Sequence, residues 1–164
     1  MIDKAVVDIL ECQGINIILS VPCNLLTGIL EQIKGRRIAH VPVCREEEGI
    51  GIAAGAALAG KRPLVMMQNS GFGNCVNALM SLTAFYRLPL FMLMSHRGGP
   101  GEPISAQVPM GMAVPRLLQA LNIDYISIQK QDTLGQLKPF IEETYEAGLI
   151  RAALLSRELW NETK

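Results

Sequence analysis

The stretch Leu64-Val-Met-Met67, Gln68-Asn-Ser-Gly-Phe-Gly-Asn74 and, after a segment of helical spacing to Tyr86, Leu90-Phe-Met-Leu-Met94 decides the fold. Two short runs, apolar throughout rather than alternating, flank a turn of amides and glycines followed by a helix. Strands that are apolar on both sides belong to a parallel sheet covered by helices on both faces. The same rhythm runs outward in both directions. Upstream, the spacing predicts a helix over 5–12 with Asp3 as its N-cap, a strand over 15–21, a helix over 24–33 stopped by Gly35, a strand over 37–43 ending at Pro42, and a helix over 46–60. Downstream come a long Gly/Pro-rich loop from His96 to Gly111, a helix over 114–121, a strand over 125–128, a helix over 133–148 and a strand over 152–155. Six strands alternating with helices give an α/β fold: three layers, α/β/α, around a mostly parallel six-stranded sheet, in a single domain over residues 1–164.

Composition narrows the function. Of 164 residues, 15 are Lys or Arg and 15 are Asp or Glu, and the charges are interspersed, so there is no electrostatic footprint for nucleic acid or an anionic membrane. No apolar run approaches the roughly 18 residues of a membrane span, and Met1-Ile-Asp-Lys-Ala lacks the pattern of an export signal, which points to a cytoplasmic protein. With 49% hydrophobic residues the chain has more apolar surface than a core of this size needs, so part of it is expected to face a partner. Cys12, Cys23, Cys44 and Cys75 form no C-x-x-C pair, and only His40 and His96 stand by to complete a metal site, so no metal is expected and the thiols read as reduced, packed side chains.

In parallel sheets the ligand crevice lies beyond the carboxyl ends of the strands. Glu46-Glu47-Glu48 begins a helix there. The run either complements the helix dipole or turns one or two carboxylates into the crevice. Gly49, Gly51 and Gly55 cost that helix roughly 1 kcal/mol each against Ala, which close approach of another helix or subunit would offset. Gln68-Asn-Ser-Gly-Phe-Gly-Asn74 reads as a backbone cradle for an anion or as a tight turn capped by Asn or Ser. It is not a dinucleotide fingerprint, and no P-loop occurs. In Ser95-His-Arg-Gly-Gly-Pro-Gly-Glu102, His96 and Arg97 either meet a carboxylate- or sulfonate-bearing substrate or sit on a solvated loop. His40, inside an apolar strand, reads as a core or edge histidine. Nothing places a base beside Ser70 or Ser95 as a hydrolase triad would require.

Taken together, Val21-Pro-Cys-Asn-Leu-Leu26, Arg45-Glu-Glu-Glu-Gly-x-Gly-x-Ala-Ala-Gly55, Met67-Gln-Asn-Ser-Gly-Phe-Gly-Asn74 and Arg97-Gly-x-x-Gly-Glu102 resemble the pyrimidine-binding domain of thiamine diphosphate-dependent 2-oxoacid decarboxylases. The likeness runs over nearly the whole chain and is strongest to the branch acting on sulfonated and phosphonated pyruvates. It implies a thiamine diphosphate-binding fold and a glutamate that hydrogen-bonds a ring nitrogen of the cofactor's aminopyrimidine and promotes its imino tautomer. Counting back nine residues from Gly55 puts that role on Glu46, with Glu47 as the fallback. By the same resemblance Asn69, Ser70, Gly71 and Asn74 line the cofactor, Arg97 and Asn24 face the substrate, and His96 is a second catalytic group.

The family holds the diphosphate and its Mg²⁺ with a Gly-Asp-Gly motif and a later Asn in a second domain. This chain has no Gly-Asp-Gly. The resemblance therefore implies half of a composite site. A β subunit would supply the diphosphate grip and Mg²⁺ and share the thiamine diphosphate in a hetero-oligomer. The implied reaction converts 3-sulfopyruvate to sulfoacetaldehyde and CO2, a step of coenzyme M biosynthesis in methanogens. The alternatives are phosphonopyruvate or another acidic 2-oxoacid as substrate, and a non-catalytic α/β regulatory partner.

Overall fold

The computed structural model describes residues 2–161. Its six strands are β1 (Ile17–Ser20), β2 (Ala39–Pro42), β3 (Pro63–Gln68), β4 (Leu90–His96), β5 (Asp124–Ile128) and β6 (Ile150–Ser156), and its helices are α1 (Ile2–Cys12), α2 (Thr27–Ile33), α3 (Glu46–Leu58), α4 (Phe72–Ala78), α5 (Val108–Ala120), α6 (Leu137–Glu146) and α7 (Glu158–Asn161). The strands form one sheet in the order β2-β1-β3-β4-β6-β5, and every pairing is parallel, with Leu19 opposite Val65 and Met66 opposite Leu93.

Period-two alternation sorts each central strand between two cores. Leu64, Met66, Phe91 and Leu93 point to a layer made by α1, α2, α6 and α7, where they meet Val6, Leu10, Ile29 and Ile141. Val65, Met67, Met92 and Met94 point the other way, to Ile50, Phe72, Val114 and Leu118 of α3, α4 and α5. This double burial explains why the strands read as unbroken apolar runs. Emptying it is costly: truncating a buried phenylalanine such as Phe91 to Ala removes about 3–5 kcal/mol.

Several expected boundaries differ. Asp3 is not an N-cap. It lies inside the first turn of α1, where its Oδ1 accepts the Trp160 indole N–H at 3.0 Å. Residues 24–26 and 69–71 form 3₁₀ turns ahead of α2 and α4, and residues 79–84 continue α4 as a π-helical segment. The long loop from His96 to Gly111 is shorter than expected. His96 still belongs to β4, a 3₁₀ turn occupies 105–107, and α5 already begins at Val108 with Pro109 in its first turn. Pro109, Gly111 and Pro115 read as helix breakers, yet each has a reason to be there. Gly111 packs its bare Cα against Arg97 and Gly98, where a Cβ would collide with the Arg97 carbonyl. The cysteines are free, as expected, but only Cys75 is buried, while Cys23 is half-buried and Cys12 and Cys44 are exposed.

Candidate active site

From β1 the chain crosses outward to β2, and from β3 it moves the opposite way to β4. Neighbouring strands whose connections diverge leave a crevice at their carboxyl ends. Around it stand the loop after β1, the 3₁₀ turn after β3, the loop after β4 and the first turn of α3.

The three consecutive acids of that first turn separate as helix geometry requires. Glu48 Oε2 accepts the Cys44 N–H at 3.0 Å and caps the helix from within. Glu47 pairs through Oε1 with Arg45 Nε at 2.8 Å, and its Oε2 is buried without a partner. Glu46 reaches across to the turn after β3, and its carboxylate lies on Gly71, where any Cβ would collide with it. Among the described residues no donor or cation engages the Glu46 carboxylate, which leaves it half-buried at the crevice without a partner. The Cys75 thiol is pushed up to about 12, first by burial and then by the negative charges of Glu46 and Glu47, which places both carboxylates near it.

The opposite wall is rigid. Asn69, fully buried, exchanges two hydrogen bonds with the backbone of Arg97: its Nδ2 donates to the Arg97 carbonyl at 3.1 Å and its Oδ1 accepts the Arg97 N–H at 2.9 Å. Neither Asn69 nor Ser70 caps the following helix, contrary to the expectation of an Asn or Ser cap. Arg97 donates from Nε and Nη2 to Glu102 at 2.8 and 2.6 Å, and the N–H groups of Gly98 and Ile104 complete the carboxylate's partners. The Glu102 side chain is only 2% exposed and that of Arg97 14%. The Arg97 guanidinium beside it holds the Glu102 carboxyl down at about 2, with the two amides adding to the effect against the cost of burial. Arg97, expected to meet a substrate anion, thus has two of its donors engaged by Glu102 and keeps Nη1.

His96 closes β4 and is half-buried. Its Nε2 lies 2.9 Å from the Gly111 carbonyl, so Nε2 carries the proton and Nδ1 is the nitrogen left over. Its side chain lines a cavity beyond β4, β6 and β5 rather than the crevice beside Glu46. The structure brings together Glu46 with Gly71, and Asn69 with Arg97. Asn24, first residue of the 3₁₀ turn after β1, and Asn74, in the first turn of α4, are exposed, and their side chains make no hydrogen bond to these groups among the described residues.

Sequence reasoning missed Gln68. Its Nε2 donates to Ser70 Oγ at 2.6 Å and to Gln107 Oε1 at 2.9 Å, while its Oε1 accepts from the Cys23 thiol at 3.8 Å. Cys23 Sγ also lies 3.2 Å from Ser95 Oγ. One amide therefore ties the loop after β1, the turn after β3 and the start of α5. Its place at the end of an apolar strand was the only signal, because the partners are 45 and 39 residues away.

A carboxylate without a protein partner, seated over a bare Cα at the carboxyl edge, is a fitting seat for the ring nitrogen of an aminopyrimidine. Among the described residues no three His, Cys, Asp or Glu side chains gather into a group that could hold a metal ion. No helix among them is long and apolar enough to cross a membrane.

Fold and crevice define a parallel α/β domain of the kind that holds a cofactor at its strand ends. Residues 2–107 match the family described as thiamine pyrophosphate enzyme, N-terminal TPP binding domain. The sulfopyruvate decarboxylase subunit alpha of Methanothermobacter thermautotrophicus is 43% identical over 152 residues, 90% of either chain. The sulfopyruvate decarboxylase of Methanosarcina acetivorans is 34% identical over 158 residues, which are 96% of this chain and 41% of that one. A phosphonopyruvate decarboxylase of Streptomyces viridochromogenes is 32% identical over 148 residues, 89% of this chain and 35% of that one. In structure, the thiamine diphosphate-dependent 4-hydroxybenzoylformate decarboxylase of Rhodococcus jostii RHA1 superposes with a TM-score of 0.70 at 13% identity, over 95% of this chain and 30% of that one. The chain belongs to the thiamine pyrophosphate enzymes through their N-terminal TPP-binding domain, in the family of the sulfopyruvate decarboxylase alpha subunits.

Proposed function

We propose that the chain is the pyrimidine-binding half of a decarboxylase that converts 3-sulfopyruvate to sulfoacetaldehyde and CO2. The observation that carries this reading is the Glu46 carboxylate, set over Gly71 at the crevice and without a protein partner. Thiamine diphosphate, when bound, supplies the electron sink for loss of CO2. Glu46 holds the proton shared with the pyrimidine ring, and Glu47, tied to Arg45, is placed less well for that role. Asn69, Ser70, Gly71 and Asn74 shape the seat of the ring. Asn69 does so rigidly, because both ends of its amide are bound to the backbone of Arg97. Asn24 and Arg97 Nη1 face the substrate's anionic groups. His96, expected as a second catalytic group, has Nε2 engaged by Gly111 and lines the cavity beyond β4, β6 and β5, so this reading gives it no proton to move at Glu46.

The diphosphate and Mg²⁺ are held by a β subunit. Two observations support this: among the described residues no three His, Cys, Asp or Glu side chains gather to hold a metal ion, and the chain corresponds to 41% of a relative that is named as the decarboxylase without a subunit designation. The exposed side of α3 is the surface for that contact. Gly51 and Gly55 have open space where a Cβ would stand, and Ile52 and Leu58 are exposed beside them.

Mixing the chain with a candidate β subunit, thiamine diphosphate and Mg²⁺ tests the reading. Sulfopyruvate-dependent CO2 release absent from either chain alone is expected, with phosphonopyruvate turned over more slowly. Activity of the β subunit alone, unchanged by this chain, would favour a regulatory partner instead.

A further inference from the structure

We propose that the chain carries a second small-molecule site, for a small organic monoanion bearing a carboxylate or sulfonate, in the cavity beyond the carboxyl ends of β4, β6 and β5, anchored by Arg157. The sheet reverses direction twice. After β4 the chain crosses to the edge strand β5 and returns to lay β6 between them, so the segments that follow β4, β5 and β6 stand side by side at the carboxyl edge. There a cavity of about 260 Å³ is lined by His96, Glu102, Ser127, Gln129, Ser156 and Arg157. It lies two to three strand spacings, about 12 Å, from the crevice beside Glu46.

Arg157 is the anomaly. A guanidinium partly screened from water gains from a carboxylate or equivalent acceptors. Every other arginine that is not exposed has them: Arg36 pairs with Asp8 and Glu11, Arg97 with Glu102, and Arg151 with Glu143. Arg62 donates to the Gln13 carbonyl and lies over the Tyr145 ring. Half-buried Arg157 has one long contact, from Nη1 to the Gly101 carbonyl at 3.4 Å, and no carboxylate partner among the described residues. Glu102, on the same wall, does not serve it, because each of its oxygens already accepts twice, from Arg97 and from the Gly98 and Ile104 amides.

The other lining groups complete an anion's partners. Ser156 Oγ accepts the Glu158 N–H at 3.2 Å, which leaves its hydroxyl proton free to donate. Ser127 and Gln129, two residues apart at the end of β5, add a hydroxyl and an amide. His96, with Nε2–H engaged by Gly111, offers Nδ1 as an acceptor for a hydroxyl on the ligand. Glu158 stands exposed at the rim and disfavours a second negative charge. The volume falls below the roughly 300 Å³ at which sites for drug-sized ligands begin, so the ligand is a hydroxylated acid of a few carbons.

The test titrates the full chain with sodium isethionate and, in a parallel arm, sodium lactate, at ionic strength matched with sodium chloride, following backbone amide shifts by NMR. Saturable shifts at Ser127, Gln129, Ser156 and Arg157 are expected, and the two arms report whether sulfonate or carboxylate is preferred. Arg157→Gln should weaken binding about tenfold or more with unchanged melting temperature, and Ser127→Ala should weaken it a few-fold if the first variant does not fold. Glu46→Gln should bind as the parent chain does, which separates this site from the proposed reaction. Shifts that do not saturate, that centre on residues 21–24, or that persist unchanged in the folded Arg157→Gln variant would overturn the proposal.

Discussion

Pro115 has no N–H for the Gly111 carbonyl one turn before it in α5, and His96 supplies the missing donor from the end of β4. A buried carbonyl left without a donor costs about 1–3 kcal/mol, so His96→Ala should destabilise the chain by that amount. In a Pro115→Ala background the backbone N–H gained at that position restores the helical bond, and His96→Ala should then cost clearly less in thermal unfolding. Equal costs in the two backgrounds would show that the histidine acts otherwise. Glu102 makes a second residue-scale prediction. Its carboxyl sits at about 2 in the folded chain against an ordinary 4.5, so its contribution is complete above pH 4.5 and fades as pH falls toward 2. Glu102→Gln leaves the half-buried Arg97 without its carboxylate. It should cost about 3 kcal/mol at neutral pH and flatten the decline in stability between pH 4.5 and 2. At this scale the sequence was only partly legible. The family resemblance points to Glu46, nine residues before Gly55, but nothing near His96 announces its tie to Gly111, and Arg97 reads the same whether its partner is a substrate or Glu102. Side-chain pairings across a fold leave no local trace.

At the scale of elements the strands were readable because burial on both faces makes them uniformly apolar, and all six lie where the alternation puts them. Helix starts were less readable. α5 begins before Pro109, Gly111 and Pro115, residues that break helices unless Pro sits in the first turn, Gly meets another backbone and a side chain replaces the lost donor. α3 shows the complementary case. Gly51 and Gly55 have open space at the Cβ position, so nothing inside this chain requires them. Nearby, Leu58 is 75% exposed, and Phe85, 74% exposed, stacks edge-on against Tyr86 at 4.9 Å. Gly51→Ala and Gly55→Ala should each stabilise the chain alone by up to about 1 kcal/mol, read as a rise in melting temperature. The same substitutions should weaken association with the β subunit, read by ultracentrifugation of the mixture. Unimpaired association of both variants would move the contact away from this side of α3.

For the whole molecule the sheet order has the largest consequence. Divergence of the connections after β1 and β3 sets Glu46, Gly71, Asn69 and the loop after β4 around one crevice, and residues that follow β4, β5 and β6 line a second cavity farther along the sheet. The chain thus presents a carboxylate and a hydrogen-bonded wall, and among the described residues no three His, Cys, Asp or Glu side chains gather to hold a metal ion. In the composite enzyme proposed above, this chain's part is a single carboxylate, Glu46. Kinetics of the Glu46→Gln variant in the mixed complex with the β subunit, thiamine diphosphate and Mg²⁺ test this most directly. A loss of about 10²–10⁴-fold in kcat for sulfopyruvate, with melting temperature and assembly unchanged, is the expected result. Turnover within a few-fold of the parent complex would contradict the account.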